Sequence, residues 1–135
     1  MTLDLKPLTN AILRLEEAVE TYARDRSQTL IRDGLIQRFE FTYEISHKTL
    51  KRYLEEASAT PEQYDGMPFQ DLIRSGNEQG LLRSDWPKWR SYRDMRAKTS
   101  HTYDEQVARE VVADIPAFLE EARYLRDQIA QRKVE

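Results

Sequence analysis

Apolar side chains recur every three or four residues along most of this sequence, a spacing that places them on one face of a helix. The first stripe predicts a helix from about Leu5 to Arg24; its members are Leu8, Ile12, Leu15, Val19 and Tyr22. The second stripe predicts a longer helix, from about Thr29 to Ala57. The members of this stripe are Ile36, Phe39, Tyr43, His47, Leu50 and Leu54. Further apolar residues widen this stripe, which predicts burial on more than one side. They are Ile31, Leu35, Phe41 and Ile45.

Proline and glycine mark the ends of the next elements. Pro61 ends the second helix, because proline lacks an amide hydrogen and forces its predecessor out of the helical conformation. Pro68 and Gly80 bracket a short helix with a glycine at its C-terminal end. A fourth helix is expected to begin after Ser84 or Asp85 and to carry Pro87 in its first turn. These positions leave only short connections between helices.

A last helix is predicted at Thr102, because Glu105 follows three residues later in a capping-box pattern. Its core stripe comprises Val107, Val111, Ile115, Phe118, Leu125 and Ile129. Pro116 is expected to kink this helix, because it displaces a backbone hydrogen bond. The sequence therefore predicts an all-α protein, an antiparallel bundle of about five helices in one domain spanning residues 1–135.

Composition excludes several classes of protein. The chain has no cysteine, which rules out disulfides, thiolate metal sites and cysteine nucleophiles, and favours a reducing compartment. No apolar run approaches the length that spans a bilayer, and the N-terminus lacks the features of a signal peptide. No glycine-rich phosphate loop or serine elbow is present. We therefore expect a cytoplasmic protein without a membrane segment, and neither a P-loop nucleotide hydrolase nor a serine hydrolase.

Titratable residues offer few candidates for a metal site. Glu44 and His47 have the spacing by which bundle helices hold paired metals, but a second such pair is missing, because Lys98 lies three residues before His101. We predict no metal and no cofactor, and a packed or half-buried His47. Three pairs of adjacent acids are interpreted as solvated faces; they are Glu16 with Glu17, Glu55 with Glu56, and Glu120 with Glu121.

The remaining candidate is a cluster between the last two predicted helices, where Arg96, His101 and Tyr103 are spaced as Arg-x4-His-x-Tyr. The net charge of the chain is −3, yet residues 83–98 hold six basic side chains against two acidic ones. The cluster is either a catalytic site or a structural arrangement, in which His101 caps a helix and Arg96 pairs with Asp94 or Asp104. Spacing alone leaves both interpretations open.

Two segments, residues 37–55 and 96–105, closely resemble the nucleotidyltransferase substrate-binding proteins, a family of the HEPN superfamily similar to HepT-type toxins. The resemblance implies a helical bundle that forms homodimers and is encoded beside a small nucleotidyltransferase. Relatives in the superfamily include metal-independent endoribonucleases, in which the motifs of two protomers face each other. In HepT-type pairs the nucleotidyltransferase acts as antitoxin by attaching adenylate to the motif tyrosine.

Carried over to this chain, the resemblance implies that Arg96 and His101 are catalytic and that Tyr103 belongs to the site. We expect Lys98, from the basic stretch, and the Ser100 hydroxyl beside His101 to contact RNA as well. Tyr103 is also the implied site of adenylylation. The expected function is therefore a ribonuclease toxin of a toxin–antitoxin pair, neutralised by a minimal nucleotidyltransferase. The alternatives are a non-catalytic substrate-binding subunit of a two-component nucleotidyltransferase and a helical interaction module. The family often has a polar residue after the motif arginine, where this chain has Ala97.

Overall fold

The computed structural model describes residues 3–134, with side chains through Arg132, and this part of the chain forms five α-helices and no strand. The helices are α1 (Lys6–Arg24), α2 (Thr29–Ala57), α3 (Phe69–Glu78), α4 (Trp86–Lys98) and α5 (Glu105–Val134). Short 3-10 turns cover Pro61–Tyr64 and Thr99–His101. The predicted all-α bundle of about five helices is confirmed. No helix in the described range is long and apolar enough to cross a membrane.

A buried aromatic cluster fixes α4 against α2 and α5. Phe118 of α5 meets Phe39 of α2 with ring centroids 5.2 Å apart and Tyr92 of α4 at 5.1 Å, both edge to face. Trp89 lies 5.5 Å from Tyr92 in the same geometry. Such pairs contribute about 0.5–1.5 kcal/mol each beyond the burial of their area. The last turn of α4, which carries Arg96, therefore continues from a helix that buried rings hold in place.

The predicted end of α3 at Gly80 is confirmed. Gly80 has a φ of 74°, a conformation that glycine adopts without the steric cost of a side chain. Its amide donates to the Asn77 carbonyl at 3.0 Å, and the Leu81 amide donates to the Gly76 carbonyl at 2.9 Å. These two bonds form a Schellman motif, which satisfies the last carbonyls of the helix. The chain then turns sharply towards α4.

The predicted capping box at the start of α5 is wrong. Asp104 caps the helix instead, since its Oδ1 accepts the amides of Gln106 at 2.9 Å and Val107 at 3.3 Å. The Thr102 hydroxyl donates to the Thr99 carbonyl at 3.2 Å, because α4 is followed by a 3-10 turn that uses this residue. Pro116 lies inside α5, which continues through it, and the expected kink stays a prediction.

Two burial predictions are also wrong. Phe41 was assigned to the wide apolar face of α2, but its side chain is 56% exposed. Glu121 was assigned to a solvated face, but it is fully buried, and its Oε2 accepts the backbone amides of Arg83 at 2.8 Å and Ser84 at 3.3 Å. Backbone donors at the α3–α4 connection thus replace water at this oxygen, whereas the buried Oε1 has no hydrogen-bond partner among the described residues.

Candidate functional site

The Arg-x4-His-x-Tyr motif spans the connection between α4 and α5. Arg96 lies in the last turn of α4, and His101 ends the following 3-10 turn. Tyr103 lies in the connection itself, two residues before α5 begins at Glu105, and does not open that helix as predicted. The motif therefore combines one side chain on a rigid helix with two on a short linking segment.

Two glutamates of α2 hold the Arg96 guanidinium. Its Nε donates to Glu44 Oε1 at 3.1 Å, and its Nη1 lies 3.2 Å from Glu40 Oε2. The Thr99 hydroxyl accepts from Nη1 at 3.0 Å and itself donates to the Arg96 carbonyl at 2.6 Å. The alternative predicted from the sequence, a pairing of Arg96 with Asp94 or Asp104, is wrong.

Glu40 and Glu44 are the residues near the motif that sequence reasoning missed. The spacing of Glu44 and His47 suggests a metal site and gives no hint of an arginine partner, yet Glu44 pairs with Arg96. His47 instead packs edge-on against Phe69, with ring centroids 4.8 Å apart, and burial lowers its pKa, so the neutral form is favoured. The sequence does contain one indication of such a site, because two acids one turn apart, such as Glu40 and Glu44, share a helix face. Their partner lies more than fifty residues away in sequence and was not visible.

His101 and Tyr103 lie together at the surface. Their ring centroids are 6.1 Å apart, in an edge-to-face arrangement, and Tyr103 is 86% exposed. His101 is exposed as well. A second molecule could reach both rings without any rearrangement of the chain. Arg96, by contrast, is one third exposed and held to α2.

The other predicted substrate-binding residues make local contacts. Lys98 Nζ pairs with Glu110 Oε2 of α5 at 3.4 Å, and half of its side chain is exposed. The Ser100 hydroxyl donates to the Ala97 carbonyl at 3.1 Å and remains at the surface. Both residues border the exposed connection, and neither is locked in the interior.

Only some of the basic side chains of residues 83–98 are free of carboxylate partners among the described residues. Arg96 and Lys98 are paired with carboxylates. The Lys88 ammonium lies 5.3 Å from the Tyr92 ring centre, and the Arg93 guanidinium lies over the Trp86 ring at 5.1 Å. Cations stacked on aromatic rings keep their charge and can still attract an anion. The local positive charge expected from the sequence thus persists on α4, beside the motif.

A buried arginine anchors the far end of the connection. Arg32 of α2 donates to both carboxylate oxygens of Glu105, at 2.8 and 2.9 Å. These hydrogen bonds lower the pKa of the Glu105 carboxyl. The segment with His101 and Tyr103 is therefore held at both ends. Before it, Thr99 is hydrogen-bonded to Arg96, and after it, Glu105 is paired with Arg32.

Comparisons with known proteins agree with this architecture. The model of a family described as "Nucleotidyltransferase substrate binding protein like" matches residues 3–131. A Haemophilus influenzae protein named "Probable ribonuclease HepT" is 38% identical over 138 residues, covering 96% of this chain and 94% of that protein. A solved structure from Haemophilus influenzae, described as the fold of a substrate binding domain of a nucleotidyltransferase, superposes with a TM-score of 0.88. It is 37% identical and covers 94% of this chain and 99% of its own.

Proposed function

This chain belongs to the nucleotidyltransferase substrate-binding protein family, and on that premise we propose that it is a HepT-type toxin, a homodimeric, metal-independent endoribonuclease. We further propose that a partner nucleotidyltransferase silences it by adenylylating Tyr103. The observation that carries the proposal is the exposure of His101 and Tyr103 on a connection tethered beside Arg96. The relative named as a ribonuclease supports the choice of RNA. Such a toxin would act on RNA in the cytoplasm.

The chemistry follows from the residue types. RNA carries its own nucleophile, because the 2′-hydroxyl can attack the adjacent phosphorus once a base removes its proton. The bond from phosphorus to the 5′-oxygen then breaks, and an acid supplies a proton to that oxygen. The His101 imidazole can accept or donate a proton, and Arg96 can stabilise the charge on the phosphate oxygens. The products are a 2′,3′-cyclic phosphate and a free 5′-hydroxyl.

The homodimer follows from the requirement for two proton-transfer groups. One chain places a single histidine, His101, on the motif connection, since His47 packs against Phe69. A two-fold axis beside the connection would bring a second His101 and a second Arg96 to the same cleft. The exposure of His101 and Tyr103 supports this arrangement, because these rings remain available for a partner copy and for RNA.

Adenylylation of Tyr103 would silence the site through charge and bulk. The Tyr103 oxygen attacks the α-phosphorus of ATP, its proton passes to a base, and pyrophosphate leaves. The new phosphate would lie near His101, whose ring is 6.1 Å from that of Tyr103. It would repel the RNA backbone and occupy its space. Exposure of 86% makes the phenol accessible to another enzyme.

A second candidate is a non-catalytic subunit that binds substrate for a two-component nucleotidyltransferase. One observation favours it: two carboxylates already pair with the Arg96 guanidinium and reduce its attraction for phosphate. The description of the related solved structure as a substrate binding domain agrees with this alternative.

An RNA cleavage assay distinguishes the ribonuclease from the substrate-binding subunit. It uses the purified chain, free of any nucleotidyltransferase, with a metal chelator present. A ribonuclease should cut RNA and leave 2′,3′-cyclic phosphate ends. DNA of the same sequence is the matched control, because it lacks the 2′-hydroxyl and should stay intact. Intact RNA under these conditions would exclude the ribonuclease and favour the substrate-binding subunit.

A further inference from the structure

We propose that Glu40 and Glu44 form a carboxylate clamp that aims the Arg96 guanidinium and reserves its Nη2 group for an RNA phosphate. The inference rests on the proposed ribonuclease function and assigns two further positioning residues to its site. Neither glutamate belongs to the Arg-x4-His-x-Tyr motif. Both lie on α2, whereas Arg96 lies on α4.

This assignment follows from the hydrogen-bond donors of the Arg96 guanidinium. Nε has one hydrogen, and Glu44 accepts it at 3.1 Å. Nη1 donates to the Thr99 hydroxyl at 3.0 Å and lies 3.2 Å from Glu40. Nη2 forms no hydrogen bond with any residue of the described chain. Both of its hydrogens therefore remain available for a phosphate oxygen, whereas Nη1 is engaged by the Thr99 hydroxyl and by the ion pair with Glu40.

Buried neighbours hold the clamp in place. Glu40 directly follows Phe39, Glu44 directly follows Tyr43, and Arg96 directly follows Met95. These three preceding residues are at most 5% exposed. Each charged side chain thus starts from backbone fixed by the core. Long side chains that start from fixed backbone and share hydrogen bonds lose little further freedom when a ligand binds.

The clamp also sets the charge that an approaching phosphate meets. Two carboxylates and one guanidinium sum to about one negative charge, in a group whose side chains are between 31% and 46% exposed. The hydrogen bond that orients Arg96 and the charge that opposes RNA therefore reside in the same side chains. Substitutions can separate the two effects, because glutamine keeps an acceptor oxygen and removes the charge.

Steady-state RNA cleavage by Glu44→Ala and Glu44→Gln tests the clamp. Glu44→Ala removes the acceptor at Nε, so kcat should fall roughly 10–100-fold as Arg96 loses its orientation. Glu44→Gln should keep kcat within about threefold of the parent and lower KM, because one negative charge is gone while the acceptor remains. Equal losses of kcat in the two variants, or full activity in Glu44→Ala, would overturn the proposal.

Glu17→Ala provides the matched control. Glu17 also pairs with an arginine of α2, at 2.9 Å from Arg38, but it has no contact with Arg96. Its loss should leave both kcat and KM unchanged. A fall in kcat similar to that of Glu44→Ala would mean that α2 responds to the removal of any ion pair, and would overturn the specific role of the clamp.

A measurement independent of cleavage separates the clamp from the proposed function. In ¹⁵N NMR spectra, the Arg96 Nε–H, assigned by its loss in Arg96→Lys, should exchange with water about tenfold or more slowly than exposed arginines, because Glu44 accepts it. Glu44→Gln should keep this protection, and Glu44→Ala should lose it. An unprotected Nε–H in the parent overturns the clamp, whatever the nuclease assay shows. A protected Nε–H in a chain that cleaves no RNA overturns the ribonuclease and leaves the clamp as a binding feature.

Discussion

Arg32 and Glu105 form a two-pronged ion pair, at 2.8 and 2.9 Å, that joins the first turn of α2 to the first residue of α5. Arg32 is 8% exposed, so packing as well as charge fixes this guanidinium, whereas the Glu105 side chain is more than half exposed. The pair holds the segment of His101 and Tyr103 from the α5 side. The position of the motif thus depends on a contact that lies outside the motif.

Glu105→Gln should weaken this tether in a pH-dependent way. The hydrogen bond from Arg32 lowers the pKa of the folded Glu105 carboxyl, so its stabilisation is present above the ordinary pKa and is lost as pH falls through the lowered value. The thermal midpoint of the parent should exceed that of Glu105→Gln at pH 7, and the difference should disappear in acid. Glu20→Gln, at an exposed glutamate of α1, is the control. The same pH-dependent difference in the control would contradict the tether.

The fold was largely predictable because its signals are local. Gly80 marks the end of α3 through a backbone conformation that favours glycine, and Asp85 occupies the predicted N-cap position of α4. The start of α5 was misplaced because Thr102 and Asp104 both have side chains that can cap a helix. Only the 3-10 turn after α4 decides between them, and that turn depends on packing.

Much less of the site's surroundings could be predicted. The spacing of Arg96 and His101 shows in the sequence, but the carboxylates of Glu40 and Glu44 reach Arg96 only through the packing of α2 against the end of α4. Glu121 is a different case. It lies three residues after Phe118 and four before Leu125, on the core stripe of α5. This position predicts burial, whereas the charge of the side chain favours exposure.

Glu121→Ala should destabilise the protein by about 1–3 kcal/mol, because the amides of Arg83 and Ser84 would lose their buried acceptor. Urea unfolding followed by circular dichroism would measure the change. The adjacent residue offers the control: Glu120 is exposed and pairs with Arg123, so Glu120→Ala should cost less than about 1 kcal/mol. Equal effects of the two substitutions would refute the structural role of Glu121.

His101→Ala should lower RNA cleavage by roughly 10²–10⁴-fold, the usual contribution of a general acid or base. Arg96→Ala should have a similar effect, and both variants should keep the helical content of the parent. His47→Gln is the matched histidine control, because His47 is outside the motif and its ring packs against Phe69, and this variant should retain the parental rate. A parental rate from His101→Ala would exclude the ribonuclease mechanism.

Mixed dimers should reveal whether two chains share one site. Chains with Arg96→Ala and chains with His101→Ala, mixed by unfolding and refolding, should be more active together than either alone, because a mixed dimer contains one intact copy of each residue. Sedimentation should show twice the mass of one chain. Full activity in a verified monomer would contradict a shared site, and so would the absence of any gain on mixing.

Tyr103→Phe should remain folded and escape adenylylation, because it keeps an exposed ring and loses the acceptor oxygen. After co-expression with a minimal nucleotidyltransferase as the proposed partner, mass spectrometry should find added adenylate on Tyr103 in the parent and none at that position in the variant. Tyr53→Phe is the control for loss of a phenol elsewhere, since Tyr53 is half-buried on α2 and its removal should leave the modification intact.

RNA cleavage by the purified, modified parent decides whether this modification regulates the proposed ribonuclease activity. The adenylate phosphate would lie beside His101 and bring a negative charge to the place where the RNA backbone must bind, so activity should fall to the level of His101→Ala. Growth rescue would not distinguish this mechanism from simple capture of the proposed toxin by a partner protein, because tight binding alone would also block access to RNA. Undiminished cleavage by protein fully adenylylated on Tyr103 would rule out silencing by charge and bulk.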